Sequence, residues 1–313
     1  MRPQKRFESM PKNSTKVIVT GGAGFIGSHL TDALIKAGYS VHVIDNLVAG
    51  KKENINPRAV FYKADIRQLK KIKPVFDGAS YVFHLAALPR VQPSIKNPKT
   101  THDINVTGTL NVLIAARDVG VKRVIYAASS SAYGNQKKFP LKESFPADPI
   151  SPYGLQKYMG ELQCRLFSQL YKLETVSLRY FNVYGPRFNA DGAYSLVVGR
   201  FLKQRQAGQA LTIVPDGNQS RDFTHVYDVV RANLLAMKSK KIGWGGVINI
   251  GGGNDQSVNK VATLIGGPAV FVEPRLEPRR TLADISLAKE LLGWEPRIKF
   301  EEGVAELKRL YLS

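Results

Sequence analysis

Tyr153 and Lys157 stand four residues apart in a stretch that opens Ser151-Pro152, so on a helix they share one face. Upstream, Ser129-Ser130-Ser131-Ala132-Tyr133-Gly134 follows the β-branched run Val124–Ala128. A phenol of ordinary pKa, near about 10, is a poor base at neutral pH. A neighbouring cation such as the Lys157 ammonium would favour the phenolate. Taken alone, Tyr-x-x-x-Lys reads as an accidental surface pair. Behind a strand that ends in Ser129 and a glycine-rich turn near the amino end, it reads as proton-transfer machinery.

That turn is Val17-Ile18-Val19-Thr20-Gly21-Gly22-Ala23-Gly24-Phe25-Ile26-Gly27, with glycines at 21, 24 and 27 between a first strand and a first helix. This is the context of a dinucleotide fingerprint. Gly21 allows the tight turn, Gly24 lets the backbone approach a pyrophosphate, and Gly27 lets helix and strand pack closely. The helix N-terminus, with Phe25 and Ile26, faces the phosphates. The second strand ends at Asp45, 18 residues after Gly27. A carboxylate there accepts the adenine ribose hydroxyls and repels a 2′-phosphate, so NAD is expected over NADP. Lys51 and Lys52 nearby pull the other way.

These motifs need a frame. Short β-branched runs at Val17–Thr20, Ser40–Asp45, Val60–Lys63, Tyr81–Leu85, Val124–Ala128 and Thr175–Tyr180 read as strands. The helical stretches between them are Phe25–Ala37, Thr100–Val119 and Tyr153–Tyr171. Alternation of this kind predicts an α/β, doubly wound parallel sheet, a Rossmann domain, over residues 16–180. Residues 1–15 read as a flexible tail. Residues 181–313, richer in Gly and Pro, read as a smaller α/β substrate lobe, although Val226–Met237 and Val247–Ile250 look regular enough to return to the main sheet. No internal repeat is visible.

The 313 residues correspond to roughly two domains at about 150 each. With 43% hydrophobic and 22% charged residues the chain is globular rather than disordered, collagen-like or coiled-coil. No apolar run approaches the roughly 18 residues of a membrane span. The basic start Met1-Arg2-Pro3-Gln4-Lys5-Arg6 lacks the apolar core of a signal peptide. Cys164 is the lone cysteine, which excludes an intrachain disulfide and a cysteine-rich metal site; no metal is expected, and a cytoplasmic setting fits. The net charge of +20 favours anionic partners without choosing among them. No zinc finger or RNP-type strand accompanies it, so specific nucleic-acid binding is not expected.

The series Thr20 to Gly27, Asp45-Asn46, Asp65-Ile66, His84-Leu85-Ala86-Ala87, Ser129 to Gly134, Tyr153 to Lys157, Arg179 to Arg187 and Ser220-Arg221-Asp222-Phe223 resembles the extended short-chain dehydrogenase/reductase family. Within it the chain looks like the UDP-glucose/UDP-N-acetylglucosamine 4-epimerases, from about Lys16 to Arg309. Ser94, Gly192-Ala193-Tyr194 and the triple serine look most like the branch acting on UDP-N-acetylhexosamines.

The resemblance implies roles. Tyr153 would take the proton from the sugar 4-hydroxyl while hydride passes from C4 to NAD, and the 4-keto intermediate would turn over and take the hydride back on its other face. Lys157 would hold the nicotinamide ribose and depress the pKa of Tyr153; Ser129 would hydrogen-bond the reacting oxygen. Asp65 and Ile66 match adenine contacts, Leu85, Ala86 and Ala87 line the cofactor, and Asn46 and Tyr180 join the cofactor set. Asn182 and Arg221 match groups that hold the UDP diphosphate, with Ser94, Ser130, Arg187, Arg275 and Thr281 completing the substrate set. Thr281 falls where some members carry a tyrosine beside the sugar 2-substituent. A homodimer through the helices Thr100–Val119 and Tyr153–Tyr171 is also implied.

One departure is visible. The family's Arg-x-Gly-Asp or Arg-x-Gly-Glu is replaced by Pro274-Arg275-Leu276-Glu277-Pro278, and the segment from Ser257 to Val272 is short. Relatives that dehydrate or decarboxylate nucleotide sugars place Asp or Glu just after the position of Ser129, because elimination moves a second proton. Ser130 and Ser131 stand there instead. A nucleotide-sugar reductase would use NADP, which Asp45 disfavours. A non-catalytic NAD- or RNA-binding protein would have no use for Ser129, Tyr153 and Lys157 together.

Overall fold

A computed structural model describes residues 14–89, 91–188, 197–273 and 278–312. Most of the amino-terminal tail, the Gly192–Tyr194 motif and Arg275 therefore lie outside the described residues.

The first half runs β1 (Lys16–Thr20), α1 (Phe25–Lys36), β2 (Ser40–Asp45), β3 (Val60–Lys63), α2 (Leu69–Ile72), β4 (Tyr81–His84), α3 (Val91–Lys96), α4 (Pro98–His102), α5 (Gly108–Asp118), β5 (Arg123–Ser129), α6 (Pro152–Tyr171) and β6 (Glu174–Tyr180). The second half continues β7 (Val183–Tyr184), α7 (Val197–Gln206), β8 (Leu211–Ile213), β9 (Ser220–Asp222), β10 (Thr224–His225), α8 (Val226–Lys238), β11 (Gly246–Ile250), β12 (Asp255–Ser257), α9 (Val258–Ile265), β13 (Ala269–Phe271), α10 (Ser286–Leu292) and α11 (Phe300–Tyr311).

Seven parallel strands form the main sheet in the order β11-β6-β5-β4-β1-β2-β3, a Rossmann-like doubly wound arrangement. Side chains alternate between its faces. Val17, Val19, Phe83 and Ile125 join a core cluster with α1 and α8, while Ile18, Val82, Val124 and Tyr126 join one with α2, α5 and α6. Each of these side chains is at most 1% exposed, so each removes an apolar side chain from water for roughly 1.5–3 kcal/mol. Strand order reverses between β1 and β4, which opens a crevice at their carboxyl ends.

The seventh strand comes from beyond residue 180: β11 pairs with β6 in register Gly246↔Val176 to Ile250↔Tyr180. Helices α8 and α10 also pack on the main sheet, while α7, β8, α9 and α11 surround a core of their own with Phe201, Leu211, Phe223, Val261, Phe300 and Leu307. A bridge Leu141↔Ala283 ties them to the first half.

One expectation needs correcting. The helix read as Thr100–Val119 starts earlier, at Pro98, and is interrupted by a π-helical turn, Asp103–Thr107, before α5. Asn105 in that turn donates to Leu88 O at 3.1 Å and to Gln156 Oε1 at 2.9 Å, and accepts from Leu88 N–H at 2.8 Å. The wider turn thus presents a polar side chain that pins the segment after β4 against α6.

Candidate active site

The glycine turn closes tightly over the carboxyl end of β1. Gly21, at φ +74°, donates to Ile44 O at 2.8 Å, and a Cβ placed on it would lie 2.7 Å from Ala86 N. A Cβ on Gly27 would lie 2.1 Å from Gly21 O, so only glycine lets α1 approach the turn this closely. Gly24 precedes α1 with no side chain capping the helix, which leaves its N-terminal N–H groups directed at the crevice. Phe25 and Ile26, half-buried, form the first turn.

Asp45 closes the second side. Its Oδ2 accepts from Ala23 N–H at 3.0 Å and its Oδ1 from Leu47 N–H at 2.8 Å. Burial raises its pKa, opposed by those two backbone bonds. Each oxygen retains a lone pair for a ribose hydroxyl. The cradle and the carboxylate together fit a dinucleotide.

Asn46 donates to Asp65 Oδ2 at 3.1 Å, and Asp65 is held down at about 2 chiefly by its hydrogen bonds from Arg67. Ile66 turns its side chain into the core, where a Cβ on Gly108 would lie 2.5 Å from its Cδ1; only its backbone is left to meet a ligand. Leu85 N–H donates to Thr20 O at 3.1 Å and Ala86 N–H to Thr20 Oγ1 at 3.2 Å, which bends the chain through Ala87 along the crevice. Tyr180 is not brought to the crevice by its hydroxyl: burial on the α8 side directs it to Asn233 Oδ1 at 2.9 Å.

Ser129 ends β5, and its Oγ accepts from Ser131 N–H at 3.2 Å and donates to Ser131 Oγ at 3.1 Å. Helix α6 begins opposite. Ser151 Oγ accepts from Gly154 N–H at 3.1 Å and Pro152 occupies the first turn, a start signal already in the sequence. A Cβ on Gly154 would lie 2.5 Å from Ser131 O, so glycine lets the helix start press against the serine turn. Tyr153 is thereby placed beside Ser129, whose hydrogen bond lowers the phenol pKa against a larger upward push from burial.

Lys157, one turn on, donates to Ala127 O at 2.8 Å and sits 4.9 Å from the Tyr126 ring centroid. Burial lowers it to about 8, with Cys164 and Glu161 opposing, so the ammonium persists at neutral pH. Ser130, half-buried, adjoins this group.

The substrate-side residues divide. Asn182, at φ +21°, lies two residues past Tyr180 and donates to Asp222 O at 2.9 Å and Thr281 Oγ1 at 3.2 Å, so Asn182 and Thr281 are joined. Arg221 is nearly buried in β9 and donates to Ser220 O at 2.9 Å. Ser94 is fully buried; its Oγ accepts from Tyr153 N–H at 3.0 Å and donates to Val91 O at 2.6 Å, so it supports the start of α6 next to Tyr153. Arg187 pairs with Asp32 on α1 at 2.8 Å and lines a surface hollow with His29, Tyr227 and Glu306.

Sequence reasoning missed three supports of the site. Asn105 is one. His84 is another, fully buried between Thr20 Oγ1 at 2.7 Å and Thr109 Oγ1 at 2.9 Å. The third is the buried pair Glu161–Arg179 beneath Lys157. His84 and Arg179 stand in the motif series without a role assigned to them, and the helical offset of Glu161 from Lys157 was the remaining signal.

The profile described as the NAD dependent epimerase/dehydratase family matches residues 17–251. The UDP-glucose 4-epimerase of Thermotoga maritima, solved with UDP-glucose, superposes with a TM-score of 0.91 at 40% identity, over 96% of this chain and 100% of its own. The UDP-N-acetylglucosamine 4-epimerase of Methanobrevibacter ruminantium, in complex with UDP-N-acetylmuramic acid, gives 0.90 at 35% identity, over 96% and 98%. The UDP-glucuronic acid 4-epimerase of Bacillus cereus, with UDP-glucuronic acid and NAD, gives 0.87 at 33% identity, over 95% and 100%.

Proposed function

The chain belongs to the NAD dependent epimerase/dehydratase family of extended short-chain dehydrogenases/reductases, and from that premise we propose that it inverts C4 of UDP-hexoses, with UDP-GlcNAc/UDP-GalNAc and UDP-glucose/UDP-galactose as its substrate pairs. Its cofactor is NAD. The observation that carries the proposal is the meeting of Ser129, Tyr153 and Lys157 beside the glycine cradle, with no acid or base at 130 or 131.

When bound, NAD supplies the reversible oxidation at the sugar C4. The phenol of Tyr153 exchanges the proton of the 4-hydroxyl, which requires that it spend time as phenolate. Lys157, positively charged at neutral pH, favours that phenolate, and its bond to Ala127 O fixes where the charge sits. Ser129 Oγ hydrogen-bonds the same oxygen and keeps the sugar in register. Asn182 and Arg221 address the diphosphate, arginine through its forked guanidinium. Epimerisation needs no second proton donor, which separates it from elimination.

Thr281 sets the sugar. Its hydroxyl accepts from Asn182 Nδ2 and Asp222 N–H, which fixes the side chain, and a threonine in place of a tyrosine there would leave room for an N-acetyl group. Incubation with UDP-GlcNAc, UDP-GalNAc, UDP-glucose, UDP-galactose and UDP-glucuronate, followed by separation of C4 epimers, tests the assignment. Conversion of the first four and not of the last is the expected result, and Thr281→Tyr should suppress the N-acetylated pair while sparing UDP-galactose. Turnover of UDP-glucuronate alone would remove the assignment.

The enzyme acts as a homodimer through α5 and α6, where Leu110, Leu155, Leu166 and Leu170 are exposed. No helix among the described residues is long and apolar enough to cross a membrane.

A further inference from the structure

Trp244 occupies the second position of a tight turn, Gly243–Gly246, closed by Gly246 N–H donating to Gly243 O at 2.9 Å. The backbone is left-handed at both central residues, φ +52° at Trp244 and +84° at Gly245. Glycine, asparagine and aspartate fill such turns; a bulky side chain there is strained. The side chain is nevertheless 60% exposed, and among the described residues it makes no hydrogen bond or ring contact. Trp294, by contrast, is fully buried and donates to Asp228 O at 2.9 Å. Among the described residues, no hydrogen bond or ring contact offsets the strain and exposure of this large ring.

The turn leads directly into β11, and Gly245 N–H donates to Thr175 O, so Trp244 projects from the amino-terminal rim of the sheet, opposite the edge that holds the candidate active site. That rim is basic. Lys238, Lys240 and Lys241 lie at the end of α8, against Arg123, which donates to Ala236 O and Ser239 O. Lys172 precedes β6 and Lys122 precedes β5; both are exposed. Arg165 of α6 backs the turn, its Cα 2.6 Å from where a Cβ on Gly245 would stand. Of the acids nearby, Glu174 is paired with Arg123 and Asp118 with Lys73, while the exposed Glu290 sits beside Lys241, which donates to its carbonyl at 3.3 Å. An exposed indole set among cations fits a headgroup layer, where the ring sits at the boundary and the ammonium groups meet lipid phosphates.

We infer that this rim docks the protein on an anionic lipid surface, with Trp244 as the seated side chain and the rim lysines as its electrostatic hold. A single-stranded nucleic acid fits less well: one lone aromatic offers no succession of stacking platforms. Docked this way, the crevice faces solution. The inference does not depend on the identity of the sugar or on the proposed reaction.

The test uses vesicles of phosphatidylcholine with or without phosphatidylglycerol. The full chain should sediment only with the anionic vesicles and be released by high salt. Tryptophan emission should shift to the blue on binding, a signal owed to Trp244 because Trp294 is already buried. Trp244→Gly should abolish the shift and weaken binding by about tenfold. Glycine adopts the same φ without strain, so this variant should keep or raise its thermal midpoint. The double change Lys240→Glu, Lys241→Glu should abolish sedimentation, and all variants should keep UDP-sugar turnover. Equal sedimentation with neutral vesicles, absence of a blue shift in the unaltered protein, or retention of RNA without retention of vesicles would each overturn the inference.

Discussion

Glu161 and Arg179 form a bidentate ion pair one helical turn beyond Lys157, Nε to Oε1 at 2.9 Å and a terminal nitrogen to Oε2 at 2.7 Å, with both side chains under 5% exposed. The Arg179 guanidinium also lies 4.5 Å from the Tyr133 ring centroid, and Tyr133 donates to Asn249 Oδ1 on β11 at 2.7 Å. The carboxylate is therefore both a brace between α6 and β6 and the negative charge nearest the active-site lysine on its own helix.

Two variants separate those roles. Glu161→Ala leaves a buried guanidinium without its counter-charge and should lose about 3–5 kcal/mol in urea unfolding. Glu161→Gln keeps the shape but removes the charge that supports the Lys157 ammonium, so the alkaline limb of the rate profile should move to lower pH. An unfolding loss below about 1 kcal/mol for the alanine variant would show that the brace is dispensable.

Tyr153→Phe removes the only proposed proton acceptor and should cut turnover by at least about 10² while UDP binding stays nearly intact. Lys157→Met should lower turnover and loosen NAD together. Single-turnover rates and titration with UDP distinguish the two patterns; near-normal turnover of Tyr153→Phe would take the phenol out of the mechanism.

Asp45 discriminates by charge and also holds the Ala23 N–H of the cradle. Asp45→Asn keeps an acceptor and drops the repulsion, so the preference for NAD over NADP should fall by about tenfold, roughly 1.4 kcal/mol. Dinucleotide released from the denatured unaltered protein should be NAD, and recovery of mainly NADP would contradict the role given to Asp45.

His84 is neutral in the folded chain, lowered to about 3 first by burial and then by the Lys157 charge. Thr109 Oγ1 already donates to Asn105 O, so it accepts from His84 Nε2–H, and His84 Nδ1 accepts from Thr20. In the unfolded chain the imidazole protonates near about 6.5. Because the folded value is depressed, its contribution is complete above that pH and is lost as pH falls toward the folded value, by about 2 kcal/mol at about pH 5. Unfolding free energies of the unaltered protein and His84→Gln, measured across that window, should converge as pH falls; parallel curves would exclude a neutral, clamped imidazole.

Light scattering at micromolar concentration should give twice the 34.6 kDa chain mass. Leu166→Glu with Leu170→Glu on the exposed face of α6 should give the single-chain mass at unchanged secondary structure. A monomer before any substitution would refute the interface.

What could be read from the sequence was whatever chemistry is carried by contiguous residues. The glycine turn, Asp45 at a strand end, the Ser151-Pro152 helix start and Tyr153 with Lys157 each depend on neighbours a few positions away, and the parallel sheet follows from the same local periodicity. The supports beneath them are different. His84, Asn105 and Glu161 act through partners brought close by the fold, such as Thr109, Leu88 and Arg179. Arg187 is held in the same way, by Asp32 on α1, a partner that no local pattern announces. The π-helical turn at Asp103–Thr107 arises where Asn105 finds partners on two other segments, which helical periodicity does not register.

The place of β11 in the main sheet bears on how the chain is made. Every strand up to β6 leaves the ribosome before the one that covers β6's outer edge, and α7 to α8 must be synthesised in between. Through that interval the nascent chain carries a six-stranded sheet whose last member, with Val176 and Leu178 on it, exposes unpaired backbone groups along its length. A chain halted after Tyr180 is thus a ready template for pairing with a second such chain. The step that ends this vulnerability is the arrival of Gly246–Ile250, well after the candidate proton-transfer residues have been assembled.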